Sequence, residues 1–442
     1  MRLSRFVIPY RDVQPGEHVL YDVVSDRYVG VDDAALESLA RWRRGGPVLP
    51  AEQEAAEALR ELGFLVEGEA EDEARLAGAR RTAASGRPGS FYVTLMPTLA
   101  CDLACTYCFQ KDHPAQGHMK PEVEAAALEW IERAVARSTA QKLVVAYIGG
   151  EPLARKDYVL RSAARLSAAM ARMGRAFEWQ LVTNGVSLDV DFARSLSALG
   201  QGEIKLTLDG DRETHDAGRV YRDGRGTFDR VFAALVAVAH TCPEIRLRVG
   251  GNFREGQEAS FEALLDRMAA AGLAGRLKSV DFKPVVEGGC ATSCGSRASE
   301  TLVQLRGATS QRGLTRQAPR GVDQLAPCEL HWDDAWTIDP SGRLYKCLAV
   351  AGRPELALGD VRSEALRPDP LLAGEPWKAC APDCPFVPVC LGGCLGGKVA
   401  TGGRLGETAC DRPLLEDQFR REIRRRYLEE FHRDEAVNAA AA

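Results

Sequence analysis

The 442-residue sequence lacks a long apolar run, an export signal and a large excess of either charge. Its longest uncharged apolar stretch, residues 231–239, is far shorter than the roughly 20 residues that a membrane-spanning helix needs. The N-terminus has neither an extended apolar segment nor a small-residue cleavage site, which argues against secretion. The formal net charge is -5, so no global positive field favours nucleic acid or an anionic membrane. We therefore expect a cytoplasmic protein with no nucleic-acid partner and no membrane partner.

Cysteine is the residue type that stands out, with 13 copies, an odd number. In a chain without an export signal, a reducing compartment disfavours a disulfide framework, so clustered thiols are better interpreted as metal ligands or catalytic groups. Three cysteines lie within residues 101–108, and nine lie between Cys290 and Cys410. Cys242 stands alone near a predicted helix end, and we interpret it as a small buried hydrophobic residue.

From residue 91 to residue 285, short β-rich runs alternate with amphipathic helical stretches. Strands that alternate with helices imply an α/β fold with a parallel sheet covered by helices, and six such units suit a partial (β/α)6 barrel. On such a scaffold, the chemistry belongs to the loops after the carboxyl ends of the strands. The predicted strands are 91–95, 143–148, 177–182, 204–208, 245–249 and 280–285, and the predicted helices include 121–137, 158–173, 227–241 and 257–271.

The regions on either side of the barrel have other patterns. The N-terminal region contains a predicted hairpin and two short helices, followed by a charged stretch without apolar periodicity that predicts a linker. The region after the barrel is rich in Gly, Pro and Cys, with one predicted hairpin at 335–345, and has too little apolar periodicity to build its own core, so metal is its expected staple. The predicted organisation is an α+β module at 1–66, a linker at 67–89, the barrel at 90–285, a cysteine-rich domain at 286–412 and a C-terminal helix, packed on the body, within 413–442.

The strongest motif is the CxxxCxxC run of Cys101, Cys105 and Cys108, which follows the first predicted barrel strand. Three thiolates in one short loop can hold three irons of a 4Fe-4S cluster and leave the fourth iron open to a substrate. The alternatives are a zinc knuckle or chance thiols. Structural zinc normally takes four ligands, and no fourth residue stands nearby in the sequence.

This motif, with the aromatic residue Tyr107, resembles the radical S-adenosylmethionine (SAM) superfamily. Gly149, Gly150, Glu151 and Pro152 end the second predicted strand, where that family has its GGEP motif against the methionine amino group. Exposed backbone at the glycines and a carboxylate suit an ammonium group.

Further residues continue the resemblance in register with the strands. Asn184, after the third strand, and Thr207, after the fourth, resemble the family's contacts to the ribose and carboxylate of SAM, although each motif alone is more typical of a turn. His215 and Arg219 follow in the same order. The resemblance implies an enzyme whose cluster reduces bound SAM to a 5′-deoxyadenosyl radical, which abstracts a substrate hydrogen. It also implies an electron donor such as flavodoxin or ferredoxin.

Seven later cysteines resemble the SPASM extension of radical enzymes that modify peptides and proteins, which carries two auxiliary iron–sulfur clusters. They are Cys328, Cys347, Cys380, Cys384, Cys390, Cys394 and Cys410. By order, the resemblance implies that Cys328, Cys347 and Cys394 bind the first auxiliary 4Fe-4S cluster and that the other four bind the second.

Two questions stay open for these clusters. The fourth ligand of the first is Cys290, Cys294 or none, and zinc is an alternative for the whole cysteine-rich region. Where the family usually has CxxC, Cys380 and Cys384 are separated by one extra residue.

Residues 1–66 resemble, by element order, the winged-helix-like domain that recognises leader peptides in ribosomal-peptide biosynthesis, where the leader adds a strand beside the hairpin. The alternative is a module that only packs. The predicted substrate is accordingly a precursor peptide that acquires a carbon or thioether crosslink. The rivals are an anaerobic sulfatase-type formylglycine maturase, a radical dehydrogenase or epimerase of a small molecule, and a non-catalytic metal scaffold.

Overall fold

A computed structural model of the chain describes residues 1–108, 110, 117–285, 300–315, 328–410 and 412–432. In the N-terminal module, β2, β3 and β4 form an antiparallel sheet in that order, and β1 pairs with β5. One face of this sheet packs on the two helices through a core that includes Leu20, Trp42 and Phe64. The elements are β1 Arg2–Leu3, β2 Val7–Gln14, β3 Glu17–Asp22, β4 Arg27–Val31, α1 Asp33–Arg43, α2 Gln53–Glu61 and β5 Leu65–Val66.

A helix, α3 Glu69–Ala84, occupies most of the segment that we predicted as a linker, so the prediction of irregular structure there is wrong. Its apolar residues are too few to give a continuous helical stripe, but Leu76 and Ala83 are buried in an apolar cluster with Trp377. Polar contacts add to this packing. The buried Asp72 carboxylate accepts hydrogen bonds from Arg2 at 2.7 Å and Ser4 at 2.6 Å. Further along, the Arg80 guanidinium lies 3.9 Å from the centre of the Trp377 ring. The helix therefore joins the N-terminal module to the cysteine-rich region.

The barrel segment contains all six predicted strands, and they lie side by side in parallel and in chain order. Such a sheet, with helices between its strands, confirms the predicted α/β fold class. The elements are β6 Ser90–Leu95, α4 Pro121–Arg137, β7 Lys142–Tyr147, α5 Lys156–Arg172, β8 Ala176–Thr183, α6 Val190–Ser197, β9 Gln201–Thr207, α7 Arg212–Gly218, α8 Phe228–Thr241, β10 Arg246–Phe253, α9 Glu258–Ala270, β11 Leu277–Pro284 and α10 Glu300–Gln311.

The two faces of this sheet differ in polarity because side chains alternate along a strand. Apolar residues such as Val145 and Leu206 are buried in the core that includes the helices. Alternate residues point to the opposite face, where the Arg248 guanidinium contacts Glu203 at 3.1 Å and Asp281 at 2.8 Å. The helices thus cover one face, and charged pairs line the other.

The cysteine-rich region extends the barrel sheet. Its elements are β12 Ala335–Ile338, β13 Arg343–Tyr345, β14 Gly359–Asp360, α11 Val387–Cys390 and α12 Leu395–Ala400. β12 and β13 confirm the predicted hairpin. β12 also pairs in parallel with β6, which the sequence did not indicate, so the described strands of the barrel and of the cysteine-rich region form one nine-stranded sheet.

The C-terminal helix, α13 Arg412–Phe431, packs on the body as predicted. Its buried Phe419 contacts the rings of Tyr21 and Phe386, at centroid distances of 5.6 and 5.1 Å. The second face of the N-terminal sheet therefore shares a core with the cysteine-rich region and α13, and residues 1–66 are not the separable module that a linker would produce. Within the described residues, no helix combines the length and apolar composition that crossing a membrane requires.

Candidate active site

The loop with Cys101, Cys105 and Cys108 follows β6, at the edge where the carboxyl ends of the parallel strands meet. All three thiols are unpaired with one another and half-buried. Backbone hydrogen bonds run from Ala104 N to Val220 O at 2.9 Å and from Thr106 N to Gly218 O at 3.1 Å. The last residue of α7 and the chain after it therefore hold this loop in place.

The two glycines of the GGEP motif pack against the backbone that leads into the cysteine loop. Gly150 N donates to Thr98 O at 3.0 Å, and Glu151 N donates to Ala100 O at 2.9 Å. A Cβ atom at Gly149 would lie 2.3 Å from Thr98 O, and one at Gly150 would lie 2.3 Å from Ala100 O. These glycines are thus required for close approach of the two loops, and our expectation of exposed backbone at the glycines is wrong for the N–H group of Gly150.

The Glu151 carboxylate is buried and already accepts three hydrogen bonds, from Leu153 N and Thr183 Oγ1, both at 2.8 Å, and from Asn184 N at 2.7 Å. Burial is the main cause that raises its pKa to about 7. Glu151 therefore ties the β7 loop to the end of β8, and Pro152 begins a short 3-10 turn after it.

Asn184 lies directly after β8 and is also buried. Its side-chain nitrogen Nδ2 lies 2.7 Å from Asp102 Oδ1 and 3.8 Å from Cys101 Sγ, and its Oδ1 accepts from Val186 N at 2.9 Å. The Asn184 side chain therefore contacts the cysteine loop.

Tyr107 connects the cysteine loop to the ends of β9 and β10. Its hydroxyl donates a short hydrogen bond to Asp209 and accepts one from Arg219 at 2.9 Å, and Asn252 Nδ2 lies 3.3 Å away. Burial raises the pKa of Tyr107. Burial alone would lower the pKa of Arg219, but the neighbouring acidic groups, led by Tyr107, raise it. The network thus keeps a protonated phenol beside a permanent cation.

His215 connects this network to Thr227. Asp209 N donates to its Nδ1 at 3.2 Å, so Nε2 carries the proton and donates to Thr227 Oγ1 at 3.0 Å; that hydroxyl donates to Arg219 O at 2.8 Å. Burial, with a smaller effect of Arg219, lowers the pKa of His215 to about 3. The imidazole is therefore neutral and acts as a structural link.

Thr207 is half-buried at the end of β9, at the predicted edge of the sheet. Sequence reasoning missed Asp102 and Asn252. The available signal was position: Asp102 lies inside the CxxxCxxC motif, and Asn252 lies three residues after the predicted strand 245–249, near the carboxyl end of β10.

The cysteine loop fits a 4Fe-4S cluster by its chemistry. Burial is the main cause that raises the pKa of Cys101 to about 12 and raises that of Cys105, so the free loop favours neutral thiols. Leu103 N donates to Cys101 Sγ at 3.4 Å, which supplies a hydrogen bond that a thiolate would also accept. Three thiols on one anchored loop can thus become thiolates when a cationic cluster compensates their charge.

Two of the cysteines that the resemblance assigns to the first auxiliary cluster, Cys347 and Cys394, lie near the start of α12. Cys347 Sγ would lie 2.3 Å from a Cβ at Gly396, and Cys394 is the residue before α12, so glycine lets these two cysteines approach the start of that helix. Cys328 is exposed, before a 3-10 turn that precedes β12. Cys290 and Cys294 lie outside the described residues.

Cysteines that the resemblance assigns to the second auxiliary cluster lie where the segment before Cys410 crosses the segment after Cys390. Burial raises the pKa of Cys380, with additional contributions from Cys384 and Cys410, which indicates that these thiols are neighbours. Cys410 follows Ala409, whose N–H donates to Gly392 O at 2.8 Å, close to Cys390 at the end of α11.

The described residues contain no group of three or more His, Cys, Asp or Glu side chains arranged to hold one metal ion. A 4Fe-4S cluster does not require its ligands to converge on one metal ion, because each thiolate binds its own iron at a separate corner.

Comparison with known proteins identifies the class. Residues 95–246 match the family model described as the Radical SAM superfamily. The chain therefore contains a radical SAM domain.

Two curated relatives match about a third of this chain. The Fe-coproporphyrin III synthase of Methanosarcina barkeri is 28% identical over 158 residues, which are 35% of this chain and 35% of the relative. The cysteine-type anaerobic sulfatase-maturating enzyme of Clostridium novyi is 27% identical over 138 residues, 30% of this chain and 36% of the relative. This chain thus matches about a third of the length of each relative.

Two solved structures share the fold over a longer range. Native anSMEcpe with bound AdoMet and Cp18Cys peptide has a TM-score of 0.55 and 16% identity, and the match covers 79% of this chain and 99% of that one. Streptococcus suis SuiB bound to precursor peptide SuiA has a TM-score of 0.52 and 13% identity, with 93% and 99% covered. At these identities, the likeness concerns the fold.

Proposed function

We propose that this protein is a radical SAM enzyme that abstracts hydrogen from a ribosomally made precursor peptide and forms a carbon or thioether crosslink. The observation that carries the proposal is the contact between the CxxxCxxC loop and the GGEP loop at the carboxyl edge of a parallel sheet, inside a radical SAM domain. The fold that the chain shares with SuiB, which was solved with a precursor peptide, supports the substrate class.

In this proposal, Cys101, Cys105 and Cys108 hold a 4Fe-4S cluster, with one iron left for SAM. When bound, the cluster and SAM supply one-electron cleavage of the sulfonium and hydrogen-atom abstraction from the substrate. The chain's own contribution is to hold the substrate C–H in position and to exclude water. The SAM-binding surface that we propose is formed by Tyr107, Gly149, Gly150, Glu151, Pro152, Asn184 and Thr207.

We assign two auxiliary 4Fe-4S clusters to the cysteine-rich region, with the ligand sets that the SPASM resemblance implies. The pairing of β12 with β6 supports a joint function, because it fixes this region on the barrel sheet. The clusters would accept an electron from the substrate or bind a substrate thiolate, and a small redox protein such as flavodoxin or ferredoxin would supply the first electron.

The N-terminal module is proposed to bind the leader of the precursor. β4 is an edge strand of the three-stranded sheet, and an extended peptide can pair with such an edge through backbone hydrogen bonds. Because the module shares a core with α13, the test uses the intact enzyme with two substrates, the full precursor and the same peptide without its leader. Much slower turnover of the leaderless peptide is expected, and equal turnover would reject leader binding.

The reaction is tested by anaerobic incubation of the reconstituted enzyme with SAM, dithionite and a short peptide encoded beside its gene. We expect 5′-deoxyadenosine together with a peptide that has lost two hydrogens, measured by mass spectrometry. Cleavage of SAM without any change in peptides from the neighbouring reading frames would reject the precursor-peptide assignment.

The second candidate is a sulfatase-type formylglycine maturase, favoured by the relative from Clostridium novyi. Incubation with a peptide carrying a sulfatase Cys or Ser motif distinguishes the two, because formylglycine contains an aldehyde that a hydrazide reagent labels. A radical dehydrogenase or epimerase of a small molecule remains the third class of reaction.

A further inference from the structure

We propose that Asn184 is a positioning residue that donates hydrogen bonds to Cys101 Sγ and Asp102 Oδ1, and that it thereby sets the reduction potential of the cluster at Cys101. This inference rests on the proposed function in one respect, namely that the cysteine loop holds a 4Fe-4S cluster. It gives Asn184 a task other than contact with SAM.

The orientation of the Asn184 amide follows from its neighbours. Val186 N donates to one terminal atom at 2.9 Å, which must therefore be the oxygen Oδ1. The NH2 group then faces Asp102 Oδ1 at 2.7 Å and Cys101 Sγ at 3.8 Å, so both of its hydrogens have an acceptor. The backbone N of Asn184 donates to Glu151 Oε2 at 2.7 Å.

Burial makes this arrangement rigid. Asn184 is 6% exposed and Glu151 is 1% exposed. Glu151 N is in turn bonded to Ala100 O, the residue before Cys101. Glu151 of the GGEP loop thus fixes the backbone of Asn184. The side chain of Asn184 in turn contacts Cys101, the first residue of the cysteine motif.

Hydrogen bonds to a ligand sulfur influence the potential of a cluster, because reduction adds negative charge that a donor stabilises. A nearby carboxylate has the opposite effect. Asp102 Oδ1 lies 3.7 Å from Cys101 Sγ, so a donor and a negative charge lie at nearly the same distance from this sulfur. The Asn184 amide also binds that carboxylate directly, which fixes where its charge lies.

Three variants separate the two effects. N184A removes the donor and should lower the midpoint potential, whereas D102N removes the charge and should raise it. In N184D/D102N, the amide and the carboxylate exchange positions, so a donor and a charge both remain near Cys101 and the potential should return toward that of the wild type. Each single change is expected to alter the one-electron equilibrium constant three- to tenfold, and tenfold corresponds to about 59 mV.

The measurement is an anaerobic redox titration followed by electron paramagnetic resonance, with the cluster identified by the signal that changes when SAM is added. Ser167→Ala is the matched control, because it removes one side-chain hydrogen bond, to Leu199 O at 2.6 Å, on α5. It should leave the potential unchanged.

Failure of this inference and failure of the proposed function give different results. Shifts of opposite sign in N184A and D102N, with recovery in the double variant, support the inference. Unchanged potentials in N184A and D102N, or shifts equal to that of S167A, would overturn it. If N184A fails to retain its cluster, N184L takes its place, because it removes the same donor and fills the space, and an unchanged potential in N184L would overturn the inference. Absence of any iron–sulfur signal in the wild type would instead reject the proposed function.

Discussion

The two groups of cysteines are built in different ways. Cys101, Cys105 and Cys108 lie on one loop, fixed by backbone contacts to neighbouring loops of the same sheet. The later cysteines, from Cys328 to Cys410, are gathered by 3-10 turns, short helices and glycines that allow close chain crossings. Their surroundings also include the N-terminal module, since Cys384 and Cys390 pack against the core that contains Tyr21 and Phe419.

This difference separates local from tertiary control of a ligand set. A motif on one loop can be recognised from its spacing, because strand, loop and ligands are contiguous. A dispersed set depends on contacts between distant segments, so changes far from any thiol should affect it.

Replacement of the three loop cysteines should abolish cleavage of SAM. In C101A/C105A/C108A, no thiolate remains to hold the first cluster, whereas the auxiliary cysteines are remote in sequence and unchanged. The assay is 5′-deoxyadenosine formation under dithionite, measured by chromatography. A triple variant that still makes 5′-deoxyadenosine would show that the radical chemistry occurs elsewhere.

Two glycine variants should each damage one cysteine group. In G150A, the new Cβ would meet Ala100 O at 2.3 Å and displace the first loop; in G393A, it would meet Ala409 O at 1.7 Å, beside Cys410. We expect each to lose about four irons, but only G150A to lose SAM cleavage. Gly307→Ala is the control, because no atom lies within 4 Å of its added Cβ. Equal loss of cleavage in G150A and G393A would mean that the two sites do not form independently.

The shared core should couple the N-terminal module to the cysteine-rich region. Phe419 is 0% exposed, so F419A should cost about 3–5 kcal/mol of local stability. Hydrogen exchange should then increase together in β3 and around Cys384, while the barrel stays protected. Phe431→Ala on the same helix is the control, because Phe431 is 57% exposed. Increased exchange in β3 alone would contradict a shared core.

His215 should make the barrel less stable in acid. Its pKa is about 3 in the folded chain and near 6.5 when unfolded, so the unfolded state binds more protons between these values. Stability is therefore retained above pH 6.5 and lost as pH falls, by about 2 kcal/mol at pH 5. H215N lacks this titration, and its denaturant midpoint should depend less on pH. The same slope in both proteins would assign the acid sensitivity to other groups.

The sequence predicted the barrel well because its strands and helices carry clear periodicities, and α4 has the predicted bounds, 121–137. It failed for α3, whose few buried apolar residues give no periodic pattern. The buried Asp72 of this helix depends on contacts with Arg2 and Ser4, which are distant in the chain. The pairing of β12 with β6 was also unpredictable, since edge pairing leaves no mark on periodicity.

At the site, the sequence motifs indicated which loops meet, but they did not predict which residues the side chains contact. Asn184 illustrates this: its position after β8 was visible, whereas its contact with Asp102 depends on how two loops pack.

The central claim, that the chain builds one cluster site locally and two by tertiary packing, is tested most directly by iron and acid-labile sulfide assays on anaerobically reconstituted protein. We expect about twelve irons per chain for the wild type and about eight for C101A/C105A/C108A. About four irons in the wild type, with zinc bound in addition, would contradict the auxiliary clusters.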